Sequence, residues 1–348
     1  MRFRPTAISL CLLSSLLGPS ARAQDVARPS YASLEELKAS YAKQLLDLDR
    51  HRIADMAGLA AKQKGEDAET TYRELFHIAV VRDLYTEADP AADAYLKTES
   101  ADPGNRAMAV FINVIEKANR GQYDESLADL TAFFQRAPVK DDGKPRLDPD
   151  MVIPIGEAYL QRLIRGGRYD IAKKVCELAL ARRSEPNIRS HFAARMARIN
   201  MLDKPAPQIV GKDVDGKTIR LSDFKGKVVL VDFWATWCPP CVAMIPELQA
   251  LQTRYGKDGF VILGVNLDAR REDVGSIAKA TPVVRQFLLD SRASWPSLLV
   301  GPASDADPAA LFGVDEIPAS FLIDRTGKVV HIELSGSELD KAIKAALK

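Results

Sequence analysis

Two cysteines three residues apart, Cys238 and Cys241, are the residues of this 348-residue chain whose type and spacing most plainly suit chemistry. They follow Val228-Val-Leu-Val-Asp-Phe-Trp234, a run that is apolar and β-favouring except for Asp232. Such a run is expected of a central strand buried on both faces. After Cys241 the residues Val242, Ile245, Leu248, Leu251 and Gln252 step by three or four, which predicts a helix. Two thiols at the start of a helix can close a disulfide. The first sits where the helix dipole and free backbone N–H groups favour a thiolate. Cys238 is therefore the expected nucleophile, and Cys241, one turn further in, the resolving thiol.

Two plainer uses of the pair have to be weighed. A zinc site needs four ligands, usually two such pairs or a pair plus histidines. There is no second cysteine pair, and His51, His77, His191 and His331 stand singly, so no metal and no cofactor is expected. A purely structural disulfide stays open, because exported chains use them. A thiol peroxidase would want a hydroxyl residue three before its cysteine, and Ala235 stands there, with Thr236 only two before.

The residues around the pair carry a resemblance. Lys227-Val-Val-Leu-Val-Asp-Phe-Trp-Ala-Thr-Trp-Cys-Pro-Pro-Cys241 resembles the active-site strand of the thioredoxin superfamily, and more narrowly that of exported TlpA/ResA-type proteins. Lys204-Pro-Ala-Pro207, Asp215-Gly-Lys217 and Leu221-Ser-Asp-Phe-Lys-Gly-Lys227 resemble that group's opening hairpin. Ile317-Pro-Ala-Ser-Phe-Leu-Ile-Asp324 and Arg325-Thr-Gly-Lys328 resemble its cis-proline strand and closing turn. The resemblance implies an α/β thioredoxin-like domain over 203–348 and thiol–disulfide oxidoreductase activity on protein disulfides. It implies Pro318 as the cis-proline beside the dithiol, where a substrate strand pairs with the backbone of residue 317. It implies Asp232 as a buried acid that takes the proton of Cys241; desolvation would raise its pKa. Trp237 would cover one side of the site, with Pro239 and Pro240 between the cysteines. The chain departs from the group at Met244, where many members carry an acid, and Glu247 comes only after Pro246.

The elements that must position these residues follow. The length suggests two domains. Hydrophobic content of 47% and charged content of 27% are ordinary for a globular chain, and a net charge of +1 gives no reason to expect nucleic acid. Residues 1–23 read as a cleavable signal peptide: Arg2 and Arg4, an apolar run from Ala7 to Leu17, and Ala21-Arg-Ala23. Cys11 would leave with it. No other run approaches membrane-spanning length, so no stable membrane insertion is expected and the mature chain is expected in the bacterial periplasm. The resemblance implies a membrane electron donor that would recharge a reductant there.

Residues 24–202 read as an all-α domain. Ser33-Leu-Glu-Glu36 resembles a capping box. Helices are predicted near 67–86, 105–120, 123–137, 151–166, 168–183 and 187–201, with breaks at Asp89-Pro90, Asp102-Pro-Gly104 and Asp141-Asp-Gly-Lys-Pro145. Gly121-Gln-Tyr-Asp-Glu-Ser126 parallels Gly167-Arg-Tyr-Asp-Ile-Ala172, with the polar stretch Pro138–Pro149 between. The pair resembles helical hairpins of the tetratricopeptide (TPR) type; an irregular bundle is the alternative. Between Leu160 and Arg198 lie ten Lys/Arg and three Asp/Glu, either a solvated basic face or a docking surface for an acidic protein partner. On that second reading the helical repeats would be a binding scaffold carrying a redox domain. Cys176, among Ile171, Val175 and Leu178, reads as a core residue, an intermolecular bridge being the alternative. Within 203–348, the stretch 270–310 reads as an insert with helices near 272–291 and 308–312.

Overall fold

The computed structural model describes residues 30–98, 102–136, 149–182, 185–301 and 307–348. The expected signal peptide, Cys11 and most of the loop Pro138–Pro149 lie outside the described residues. The chain forms two compact units, Met1–Asp49 and Arg50–Lys348. In the first unit, Glu36 N–H donates to Ser33 Oγ at 3.1 Å and Ala32 N–H to the Glu36 carboxylate at 2.6 Å. These bonds start helix α1 (Leu34–Ala60).

The second unit continues with α2 (Gly65–Arg82), α3 (Tyr85–Leu96), α4 (Pro103–Asn119), α5 (Tyr123–Arg136), α6 (Pro149–Arg165), α7 (Tyr169–Arg182) and α8 (Pro186–Ile199). The break expected at Asp89-Pro90 falls earlier. Asp83 adopts a left-handed conformation (φ 58°) and closes α2, and Pro90 lies inside α3. An aspartate adopts positive φ more readily than most residues, but too rarely to mark a helix end by itself, and a proline near a helix start removes only one backbone bond. The paired segments found in the sequence both begin helices. Gly121 (φ 75°) and Gly167 (φ 68°) turn the chain into α5 and α7, a conformation glycine adopts without strain. Ser126 and Ala172, three residues after the tyrosines, are fully buried, as close helix packing requires. Ser126 Oγ bonds Tyr159 Oη at 2.6 Å across to α6. Helices α4 and α5 pack together, as do α6 with α7 and α7 with α8.

A seven-stranded sheet follows, built of β1 (Val210–Asp213), β2 (Thr218–Arg220), β3 (Val228–Trp234), β4 (Phe260–Asn266), β5 (Ser297–Leu299), β6 (Ala319–Ile323) and β7 (Val329–Ile332). Its order is β2-β1-β5-β4-β3-β6-β7. Strand β3 runs parallel to β4 and antiparallel to β6, and every one of its residues is buried. Helices α9 (Pro239–Tyr255), α10 (Ile277–Asp290), α11 (Pro308–Leu311) and α12 (Gly336–Ala346) complete it. The stretch 270–310 holds more than the two expected helices. Ser297–Leu299 enters the sheet between β4 and β1 as a three-residue strand, too short for periodicity to reveal.

The expected boundary near 202 is where helices give way to sheet, while the compact unit runs across it. Leu202 bridges Val329, and Ala206 N–H donates to Gly327 O at 2.9 Å. Arg195 is held by Glu157 and Glu333, and Arg198 by Glu333 and Asp315. Tyr169 Oη lies 3.3 Å from His331 Nδ1. These contacts seat α7 and α8 directly on the end of the sheet that carries β7.

Candidate active site

Strand β3 ends at Trp234, and α9 begins at Pro239, so the short link between them sets where Cys238 points. Thr236 fastens that link. Its N–H donates to Asp268 Oδ2 at 2.9 Å and its hydroxyl to Asp268 Oδ1. Asn266, at the end of β4, donates to the same carboxylate at 2.7 Å. Asp268 is buried, and a buried carboxylate needs such donors. The sequence offered no signal for this anchor beyond Asn and Asp directly after a strand.

Cys238 is the N-cap of α9, and its Sγ accepts the N–H of Cys241 at 3.2 Å. Pro239 and Pro240 take the first two helical positions, where proline's missing N–H is tolerated. That leaves Cys241 as the nearest first-turn donor. Cys238 and Cys241 are joined in a disulfide with Cα atoms 5.3 Å apart, and both are 4% exposed. Trp237 is 42% exposed, and the Arg271 guanidinium lies 5.9 Å from its ring centroid. Arg271 itself pairs with Asp273. Arg270 is taken by Asp307, and Arg285 by Asp215 at 3.1 Å.

Asp232 sits two residues before Trp234 on β3 and has no hydrogen-bond partner among the described residues. Burial pushes its carboxyl up to about 7. Asp232, Trp234 and Cys241 line one small cavity of about 10 Å³, together with Leu288, Ala293 and Trp295. That volume is close to one water-sized sphere, so a single water can link acid and thiol. Trp234 Nε1, buried without a partner, is a further polar group there. Pro318 follows a cis peptide bond from Ile317 and leads into β6, which lies against β3. Within α9, position 244, where many members of the group carry an acid, is methionine. Glu247 instead accepts the N–H of Gly336 at 2.6 Å and holds the start of α12.

Cys176 is remote in character from this pair. It is fully buried in α7, and burial pushes its thiol up to about 12. The described residues contain no cluster of three or more His, Cys, Asp or Glu side chains able to hold a metal, and no helix among them is long and apolar enough to cross a membrane.

A disulfide at the N-terminus of a helix that follows a central buried strand, with a cis-proline leading into the strand beside it, defines a thioredoxin-like dithiol protein. Comparison with known proteins agrees. Residues 201–347 match the Redoxin family. The thiol–disulfide oxidoreductase ResA of Bacillus thuringiensis subsp. konkukian is 34% identical over 147 residues, 42% of this chain and 77% of that one. ResA of Geobacillus thermodenitrificans is 32% identical over 142 residues, 41% of this chain and 74% of that one. Among solved structures, the thioredoxin domain of a thiol–disulfide oxidoreductase from Bacteroides vulgatus is 30% identical, covering 42% of this chain and 98% of its own, with a TM-score of 0.37. The chain belongs to the ResA-type thiol–disulfide oxidoreductases, with a helical region ahead of the redox fold.

Proposed function

We propose that this chain reduces or exchanges disulfides of exported proteins in the periplasm, with Cys238 as the attacking thiol. The observation that carries the reading is the placement of Cys238 at the helix N-cap while Cys241 shares a small cavity with Asp232. In the reduced protein the Cys238 thiolate attacks one sulfur of a substrate disulfide and releases the other as a thiolate. Asp232, ionised near neutral pH, accepts the Cys241 proton, directly or through one water. The Cys241 thiolate then attacks Cys238 Sγ. The second substrate thiol departs, and the Cys238–Cys241 disulfide remains, two electrons having passed to the substrate. Pro318 and residue 317 would present the backbone edge along which the substrate strand lies, with Trp237 covering the opposite side. Periplasmic location rests on the signal-like residues 1–23. Recharging the disulfide calls for an electron donor, which for an exported chain would be a membrane protein.

The direction of electron flow follows from the donors around Cys238. A strong oxidant stabilises its reduced thiolate with several donors. Here Pro239 and Pro240 supply none, and Arg271 beside Trp237 is already paired with Asp273. The dithiol is thus suited to reduction or mild exchange. Titration of Cys238 by alkylation rate should give a thiolate pKa above about 5; a value in the range of strongly oxidising dithiols, below about 5, would reverse the direction. For the roles of the two thiols, Cys241→Ala should trap a substrate as a mixed disulfide on Cys238. Cys238→Ser should lower turnover by at least ~10³-fold, as loss of a nucleophile does. Trapping mainly through Cys241 in Cys238→Ser would exchange the assignments.

A further inference from the structure

The cis-proline segment does not face open solvent on all sides. A cleft of about 300 Å³ opens between it and the helical region. That size accommodates parts of a ligand rather than single waters. On the redox side it is lined by Met244, Glu316, Ile317 and Pro318, and on the helical side by Glu157, Gln161 and Arg165 of α6 with Arg195 and Arg198 of α8. A polypeptide pairing with the backbone of residue 317 therefore has α6 as its other wall.

The charges in that wall differ in what they are free to do. Arg195 and Arg198 are buried and engaged by Glu157, Glu333 and Asp315, so they fix the wall's shape. Glu316 is largely exposed and lies 3.7 Å from His191 Nδ1. Arg165, the last residue of α6, is exposed and pairs with no acid among the described residues. A cation at a helix C-terminus is favourable by itself. Here it also lines a cleft leading to the cis-proline, which helix stability does not require.

We infer that Arg165 is a specificity-determining residue: it receives an acidic side chain of the substrate polypeptide, close in sequence to the cysteine that bonds to Cys238. The inference rests on the proposed function, and it gives the helical region a direct part in substrate choice.

The test uses the full chain, reduced, and peptides carrying one cysteine as a mixed disulfide with 2-mercaptoethanol. Asp, Ala or Lys is placed in turn at each of three positions on either side of that cysteine, and rates are compared as ratios within each protein. Such ratios cancel any change common to all peptides. At one or two positions the Asp peptide should react about two- to five-fold faster than the Ala peptide, the range of a solvent-accessible ion pair, and the Lys peptide more slowly. Arg165→Gln should erase the preference, Arg165→Glu invert it, and Arg165→Lys retain it. Equal rates for all peptides with the wild-type chain, a preference that survives Arg165→Glu, or loss of preference in Arg165→Lys would each overturn the inference. Hydroxyethyl disulfide, which is small and uncharged, separates the two levels. If the wild-type chain fails to reduce it, the proposed function fails and the inference falls with it.

Discussion

Asp232 in β3 and Glu333 just after β7 are both carboxylates with little access to solvent, yet their surroundings are opposite. Asp232 meets no cation and no donor among the described residues, and burial alone lifts its carboxyl to about 7. Glu333 receives both Arg195 and Arg198 from α8. An unpartnered buried acid is a stability burden that makes sense where a proton must be exchanged near neutrality. A largely shielded acid between two guanidinium groups serves position: it ties the helical region to the end of the sheet that carries β7. The redox core thus holds an unpaired acid, which the proposed function uses for proton transfer, while the junction pairs its charges.

The largest test of this contrast is Asp232→Asn. The carboxyl is raised from 3.8 to about 7 in the folded chain. Between those values the unfolded chain has lost the proton while the folded chain keeps it, so stability falls as pH rises through that window and is flat above it. Removing the group should therefore stabilise the protein by up to about 4 kcal/mol at pH 8, about three units at about 1.4 kcal/mol each, and by little near pH 4. Urea denaturation of the oxidised forms at both pH values measures this. The same variant should prolong the mixed disulfide on Cys238, since Cys241 would lack its proton acceptor. A stability difference independent of pH would mean that Asp232 is an ordinary, satisfied core group.

Glu333→Ala should act in the opposite sense. It leaves Arg195 and Arg198 with one acid each in a buried site, a change expected to destabilise by about 3 kcal/mol. Urea denaturation followed by circular dichroism reads the loss. A change under about 1 kcal/mol would show that the junction charges are solvated and that the comparison with Asp232 does not hold.

The smallest expected effect concerns the third thiol. Cys176→Ala should destabilise by about 1 kcal/mol, the ordinary result of removing a small buried group. It should leave disulfide exchange untouched, and a native-state alkylating reagent should label Cys238 in the reduced protein while sparing Cys176. Rapid labelling of Cys176 would instead favour an intermolecular role for it.

Much of the redox site was legible in the chain because its signals are local. The strand before Cys238, the helix after Cys241, the prolines between them and the segment leading to Pro318 depend on residues within a few positions of one another. Helices α4 to α8 were legible for the same reason, through apolar spacing and the two Gly-x-Tyr starts. Strand β5 was not, because three residues have no period and join the sheet only through β4 and β1. Nor was the end of α2, where Asp83 takes a conformation its side chain does not announce. The Thr236–Asp268 anchor, the seating of Arg195 and Arg198 on Glu333, and the cleft that sets Arg165 opposite Pro318 join residues 32 to more than 130 positions apart. Sequence alone determined which two sulfurs pair and which elements carry them, since those follow from residue type, spacing and short-range periodicity. Tertiary structure alone decided which acid stands unpaired, which is neutralised and what walls the approach to the dithiol, since burial and charge pairing exist only once distant segments have packed.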